Sequence, residues 1–432
     1  MTTATWESGD RIRTAPRTAA RHAERPAETL DGLFVRAARR SPDAVAVQEG
    51  PQHITYANAD RRSAQLATAL VHMGVQLGDP VIVQCSDHRQ ALVAHLAVLK
   101  AGGVCVPARW DASAAHTGMI AALSGAGVVL CSLVNRGRWG AGVPRLALDD
   151  PELWKRVGAL RVDRALPRSA PTDAAYLLAG PQDRAELGGH LVDHRAWQLA
   201  LGARTAQIGA APQAVAVAEP PTGPAALSAM WWTFASGSTV HARADEPGLF
   251  ATTARHGMGV AVCDPRTYAL SLDAMGGQSR SLRPRMVLLV GGPCRPELVA
   301  RHFESLPMTR LRAEFAPSDG VLPWTAKEFN AEPETREVFG TVGSPLPDIR
   351  LHVLDALGRP LGTGRTGELC ATGRPLPFDV IGGRGSAVAA PGGGAPSLLR
   401  SGLMGRRRLD GSLQVTGCRP AGRREPAAAR AR

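Results

Sequence analysis

Residues 80–107 read PVIVQCSDHRQALVAHLAVLKAGGVCVP. The apolar run 81–83 reads as a short buried strand, 89–101 as a helix and 104–106 as a second strand. A strand, helix and strand of these lengths form a parallel crossover unit, whose sheet must be covered on both faces. The alternation extends in both directions. Upstream, Leu30, Leu33, Phe34 and Ala37 have helical spacing, 45–47 and 53–56 bracket Glu49, Gly50 and Pro51 as a hairpin, and 57–73 reads as a helix. Downstream, 112–124 reads as a helix and 128–130 as a strand. After an interval come a strand at 215–217, a helix at 225–235 and strands near Val240, at 260–262 and at 286–290. The last ends in Gly291 and Gly292, where a ligand can approach a strand's carboxyl end.

After about residue 345 the texture changes. Residues 349–354 alternate as an exposed strand does, DALG at 355–358 is a turn, and 367–371 is another strand, together a smaller antiparallel, barrel-like unit. Residues 375–396, rich in Gly and Pro, read as a loop. The expected fold is α/β: two doubly wound, mostly parallel subdomains over 28–345 and a smaller β-barrel-like subdomain over 346–418. Residues 1–27 and 419–432 read as basic tails, the first of them disordered.

The chain has 432 residues and a formal net charge of +12. Only Lys100, Lys155 and Lys327 are lysines; the other 47 basic residues are arginines. The arginines are spread thinly and aromatics make up 4%, which argues against a nucleic-acid partner. No apolar run reaches membrane-spanning length, and residues 1–27 lack the apolar core of a secretory signal, so a cytoplasmic protein without a membrane partner is expected. The seven cysteines have no zinc spacing and read as small buried hydrophobes.

The segment from Leu30 to Cys131 resembles the start of an adenylation domain of the adenylate-forming superfamily, most like the nonribosomal peptide synthetase branch. The matching text is SPDAVAV (41–47), ITY (54–56), LGD (77–79), LAVLKAGG (96–103) and VP (106–107). Residues 340–354 with GEL (367–369) resemble the entry to the family's barrel subdomain. RSG (400–402), LDG (409–411) and VTG (415–417) resemble the segment before its hinge. The resemblance implies activation of a carboxylic or amino acid with ATP and Mg²⁺ through an acyl-adenylate. It also implies work with a carrier protein, a peptide synthetase or an activator protein.

Such chemistry brings two anions together and needs backbone N–H groups, Lys or Arg and a metal to neutralise them. The family's phosphate loop, TSGSTGxPKG, corresponds here to GPQDRAELGG (180–189), which keeps the spacing between its flanks DAAY (173–176) and His194. Within it only Gly189 matches. Gly188 stands at the lysine position, Asp183 and Glu186 repel a triphosphate, and Arg184 offsets part of that. Gly180, Asp183, Arg184, Gly188 and Gly189 therefore mark a loop that has kept its length and lost its phosphate chemistry. SGST (236–239) has suitable letters, but reads as a turn between a helix and a strand.

The family's aromatic-and-acid motif corresponds to AEFAPSD (313–319). The resemblance gives Phe315 an adenine to stack on, Ser318 a hydroxyl for the α-phosphate and Asp319 an oxygen for Mg²⁺, with Gly291 and Gly292 lining the adenine side. The alternative is a strand-to-loop segment with no ligand role. The ribose-clamp aspartate is replaced by Leu403, and the amino-acid anchor falls on Gly223 and Pro224, with Asp264 a substitute no sequence feature supports. His194 reads as a packing residue at a helix start. The hinge position holds Pro420 and no lysine follows Lys327, so a lid lysine is not expected in this chain. The functional expectation is an adenylation-domain-like protein of secondary metabolism with impaired ATP chemistry, a pseudoenzyme. The alternative is an active acyl- or aminoacyl-AMP ligase that uses ATP with a lid supplied by another chain.

Overall fold

The computed structural model describes residues 28–140, 142–163, 165–183, 186–242, 249–250, 259–275, 284–317, 319–331, 341–382 and 398–418. The expected tails, 1–27 and 419–432, lie outside them, as do Arg184 and Ser318. Helix α1 (Leu30–Arg40) leads into the hairpin β1 (Val45–Glu49) and β2 (Gln52–Thr55). The parallel core then begins: α2 (Tyr56–His72), β3 (Pro80–Gln84), α3 (His88–Lys100), β4 (Val104–Pro107), α4 (Ala114–Ser124), β5 (Val128–Cys131), β6 (Arg145–Ala147) and α5 (Pro151–Gly158). A long hairpin of β7 (Ala174–Asp183) and β8 (Glu186–Asp193) precedes α6 (His194–Ile208). Next come β9 (Ala214–Val217), α7 (Pro224–Ser236), β10 (Thr239–Ala242), β11 (Val260–Cys263), α8 (Pro265–Met275), β12 (Met286–Gly291), α9 (Pro296–Ser305) and β13 (Arg310–Phe315). The last strands are β14 (Thr325–Phe329), β15 (Thr341–Pro345), β16 (Ile349–Leu354), β17 (Thr366–Gly373), β18 (Asp379–Ile381), β19 (Leu399–Arg407) and β20 (Leu413–Cys418).

Local chemistry sets the helix starts. Thr29, Thr55, Asp87, Ser113, Asp150 and Asp193 each accept a hydrogen bond from a backbone N–H in the first turn of the helix that follows. The strands form two ladders. One runs β18-β8-β7-β4-β3-β5-β6, with β3 parallel to both β4 and β5, as the opening stretch predicts. The other runs β16-β17-β19-β20-β15-β14-β13-β12-β11-β9-β10-β1-β2. Its β9–β13 portion is parallel, and from β14 onward it turns antiparallel and encloses a separate apolar core around Trp324, Leu351, Leu369 and Leu413.

Helix α3 joins the two layers. It packs on β1 of the larger sheet and on β3 and β4 of the smaller. Eleven of its residues are buried, so the helix is apolar nearly all round. Its one buried cation, Lys100, is satisfied by the Asp60 carbonyl at 2.9 Å, the Asp60 carboxylate at 2.5 Å and Ser63 Oγ at 2.8 Å.

Two segments differ from expectation. Part of the Gly- and Pro-rich stretch 375–396 is ordered as β18, which pairs with β8 at Asp379↔Leu191 and Ile381↔Gly189. Phe378 and Ile381 pack on the core beneath, which explains why this turn-rich sequence forms a strand. The second is the phosphate-loop segment, described below.

A buried ion-pair network fixes α6 against β13. Arg204 donates to the Glu314 carboxylate at 3.0 and 2.6 Å and to Ser228 Oγ at 2.7 Å, and Arg312 reaches the same carboxylate. Both Arg204 and Glu314 are almost fully buried. Glu314→Ala leaves two guanidinium groups buried without their counter-charge, and a loss of about 3–5 kcal/mol is expected in urea unfolding. Glu328→Ala, which breaks the exposed pair with Arg310, is expected to change stability by less than about 1 kcal/mol.

Candidate functional site

In an open parallel sheet, ligands meet the chain at the carboxyl ends of the strands. Here those ends bring together Glu219 just after β9, Asp264 after β11, Gly291 and Gly292 at the end of β12, and Ala316, Pro317 and Asp319 after β13. Gly291 has φ 116°, a backbone that a side chain strains, and its carbonyl accepts from Ala316 N–H at 2.8 Å. A Cβ on Gly292 would meet nothing within 4 Å.

Glu219 is the charged group here that sequence reading missed. It is 7% exposed, and its carboxylate accepts from the backbone N–H of Asp264 and, at 3.4 Å, of Ala226 in the first turn of α7. Helix α7 has no side-chain cap, and Glu219 supplies an acceptor oxygen to an N–H in its first turn instead. A Cβ on Gly223 would lie 2.9 Å from Glu219 Oε2, so the carboxyl sits beside the pair Gly223 and Pro224 where the resemblance places the substrate anchor. Burial, and then the neighbouring Asp264, pushes the Glu219 carboxyl up to about 8. Burial pushes Asp264 up as well, but hydrogen bonds from Thr267, Glu219 and the backbone outweigh it and hold it below the ordinary range.

Residues 178–183 and 186–190, either side of positions 184 and 185, pair as the two arms of a hairpin. Its ladder pairs Leu178↔His190, Ala179↔Gly189, Gly180↔Gly188, Pro181↔Leu187 and Asp183↔Glu186, so strand pairing continues through the stretch read as a loop. Arg184 lies outside the described residues. Gly189 has a packing reason to be glycine, because a Cβ there would come within 2.5 Å of Leu177 Cδ1. Leu187 packs on the same core as Leu177. Residue types alone pointed to an open loop, since Pro181 and Asp183 are poor strand formers; the paired apolar residues Leu177, Leu187 and Leu191 decide otherwise.

The remaining residues are placed as follows. Phe315 is 2% exposed and lies in the apolar core with Trp324 and Leu346, so stacking on a ligand requires it to leave that packing. Ser318 lies outside the described residues. Asp319 Oδ1 accepts from the N–H groups of Val321 and Leu322, both at 2.7 Å, closing a turn. Leu403 is partly buried against the barrel core, with its N–H donated to Ser401 Oγ at 3.1 Å. His194 is fully buried at the start of α6, its Nδ1 accepting from Leu30 N–H at 3.0 Å, and burial lowers it to about 4. In SGST, Gly237 is the left-handed C-cap of α7 and Thr239 opens β10, which is the expected turn. Among the described residues no three His, Cys, Asp or Glu side chains gather to hold a metal ion. No described helix is long and apolar enough to cross a membrane.

The family model for AMP-binding enzymes matches residues 34–188 and 189–376. The chain belongs to this AMP-binding family. The two matched segments meet between Gly188 and Gly189, inside the hairpin. Phosphinothricin tripeptide synthetase PhsB of Streptomyces viridochromogenes is 29% identical over 90% of this chain, which spans 34% of that relative. The salicyl-AMP ligase / salicyl-S-ArCP synthetase of Mycobacterium tuberculosis is also 29% identical, over 90% of this chain and 73% of its own length. In fold, the AMP-binding chain superposes on the N-terminal subdomain of Klebsiella oxytoca NpsA, solved with 3-hydroxybenzoyl-AMSN, with TM-score 0.77 and 17% identity. That superposition covers 90% of this chain and all of that one.

The raised Glu219 carboxyl has a pH consequence. Its folded value of about 8 lies above the ordinary 4.5, so between these the folded protein holds a proton that the unfolded chain has lost. The stability it contributes is full below about 4.5 and is lost as pH rises toward 8. Relative to Glu219→Gln, which keeps the acceptor and cannot titrate, the natural protein is expected to lose stability steadily from pH 5 to pH 8 in urea unfolding. A constant difference between the two proteins across that range contradicts this assignment.

Proposed function

We propose that the chain is an adenylation-type scaffold of nonribosomal-peptide or related secondary-metabolite assembly in which ATP chemistry is impaired. The observation that carries this reading is the hairpin. Triphosphate binding at this position draws on backbone N–H groups directed at the ligand, flexible glycines and a lysine. Here 178–183 and 186–190 pair with each other, and Gly188 stands at the lysine position. Leu403 at the ribose-clamp position offers no acceptor, a loss of about 1–3 kcal/mol for buried hydroxyls. Asp319 Oδ1, the proposed oxygen for Mg²⁺, already closes a turn. These residues fit ATP and Mg²⁺ poorly, so no adenylation step is assigned to them. The division into a nucleotide core over 28–345 and a barrel unit over 346–418 is part of the same proposal.

A second reading, an acyl- or aminoacyl-AMP ligase that borrows its lid from another chain, draws on Glu219. Its carboxyl stands beside the anchor position and offers a substrate ammonium group an acceptor that Pro224 does not. The salicyl-S-ArCP synthetase relative supports a carrier protein as partner and a small carboxylic acid as ligand; the tripeptide synthetase relative supports an amino acid.

ATP–pyrophosphate exchange with a panel of amino and aryl acids separates the two readings. Exchange at the no-protein background, with no thermal shift from ATP or AMP, is expected. Robust acid-dependent exchange by the isolated chain overturns the impaired reading in favour of the ligase.

A further inference from the structure

A cleft of about 370 Å³ opens between β2, α2, α3 and α5. Its volume falls at the lower end of the roughly 300–1,000 Å³ range of small-molecule sites. It shares no residue with the strand ends described above. Strand β2 stands three ladder positions from β9 and five from β12, roughly 14 and 24 Å at about 4.8 Å per strand.

The lining combines cationic and apolar side chains. Arg61, Arg62 and Arg89 supply the cations, and no carboxylate is among the lining residues. Arg89 is already paired, to Asp87 and, at 3.9 Å, to Glu49. Arg61 donates to Asn58 Oδ1 at 2.7 Å, and Arg62 lies flat over the Trp154 ring at 3.9 Å. Among the described residues neither Arg61 nor Arg62 has an ion pair with a carboxylate. Burial, and then the charges of Arg89 and Arg61, pushes the Arg62 guanidinium below its ordinary range, with Asp87 acting the other way. Ile54, Val93 and Leu148 supply apolar surface to the same cleft, together with the Trp154 indole beside Arg62.

We infer that this cleft binds a phosphate monoester that carries a compact apolar or aromatic group. Two guanidinium groups without acidic partners match a dianion, and a guanidinium fork matches phosphate oxygens in pairs. The apolar lining and the volume call for more than bare phosphate. The inference stands apart from the fate of the ATP site, because no residue is shared with it.

Phenyl phosphate is a direct probe, read by calorimetry and Trp fluorescence on the full chain. It is expected to bind at least tenfold more tightly than inorganic phosphate, phenol or benzoate. Arg61→Gln with Arg62→Gln is expected to weaken binding at least tenfold. Arg350→Gln with Arg365→Gln, which removes the same charge from exposed positions on and beside β16 and β17, is expected to leave it within twofold. Should the first pair unfold the protein, Gln90→Glu serves instead: it places a carboxylate in the cleft at the first turn of α3, where the helix dipole tolerates it, and repels the ligand. Three results overturn the inference: no saturable binding of phenyl phosphate, inorganic phosphate bound as tightly, or equal losses in the two arginine pairs.

Discussion

Everything else in the molecule is arranged around the burial of α3. A helix that packs on two sheets at once has no face for water, so each residue on it must be apolar or find a partner inside the protein. From Ala91 to Leu99 every residue but His95 is apolar; His95 is buried beside Tyr176 and held neutral by burial, and Lys100 finds its partners in Asp60 and Ser63. Once α3 is enclosed, β1 on one side and β3 with β4 on the other are set at fixed separation, and the two ladders become layers of one core. Glu314 plays a similar part further along, holding α6 and β13 through Arg204.

Much of this framework was legible because burial leaves a plain mark on a parallel sheet. Runs such as 81–83, 128–130, 260–262 and 286–290 are continuous apolar strands, and α3, α4, α5 and α6 carry their own cap residues. Turns were legible where glycine must adopt a left-handed backbone, as at Gly237. The failures share one cause. In β18 and in the 180–189 hairpin the local residues favour turns, and pairing with an already formed neighbour overrides that preference. No local signal reports such a neighbour.

The chemistry was less legible than the fold. Phe315 was read either as a ring for adenine or as part of a strand-to-loop segment; it ends β13, and its burial depends on Trp324 and Leu346, which lie beyond the motif. Glu219 escaped notice because it sits between an apolar strand and two prolines, a context that reads as a surface loop. A lone acid directly after the run AVAVA was the available clue: a carboxylate at the end of a buried strand must find donors, and here they are the N–H groups of Asp264 and Ala226.

The strand pairing around Gly189 also limits what one substitution here can do. A lysine placed at position 188 leaves the ladder beneath it closed, and opening that ladder forfeits its backbone pairing and the fit of Leu177 against Gly189. Side chains in this segment therefore cannot be redirected singly: a new direction for one of them means rebuilding the strand pair that carries it.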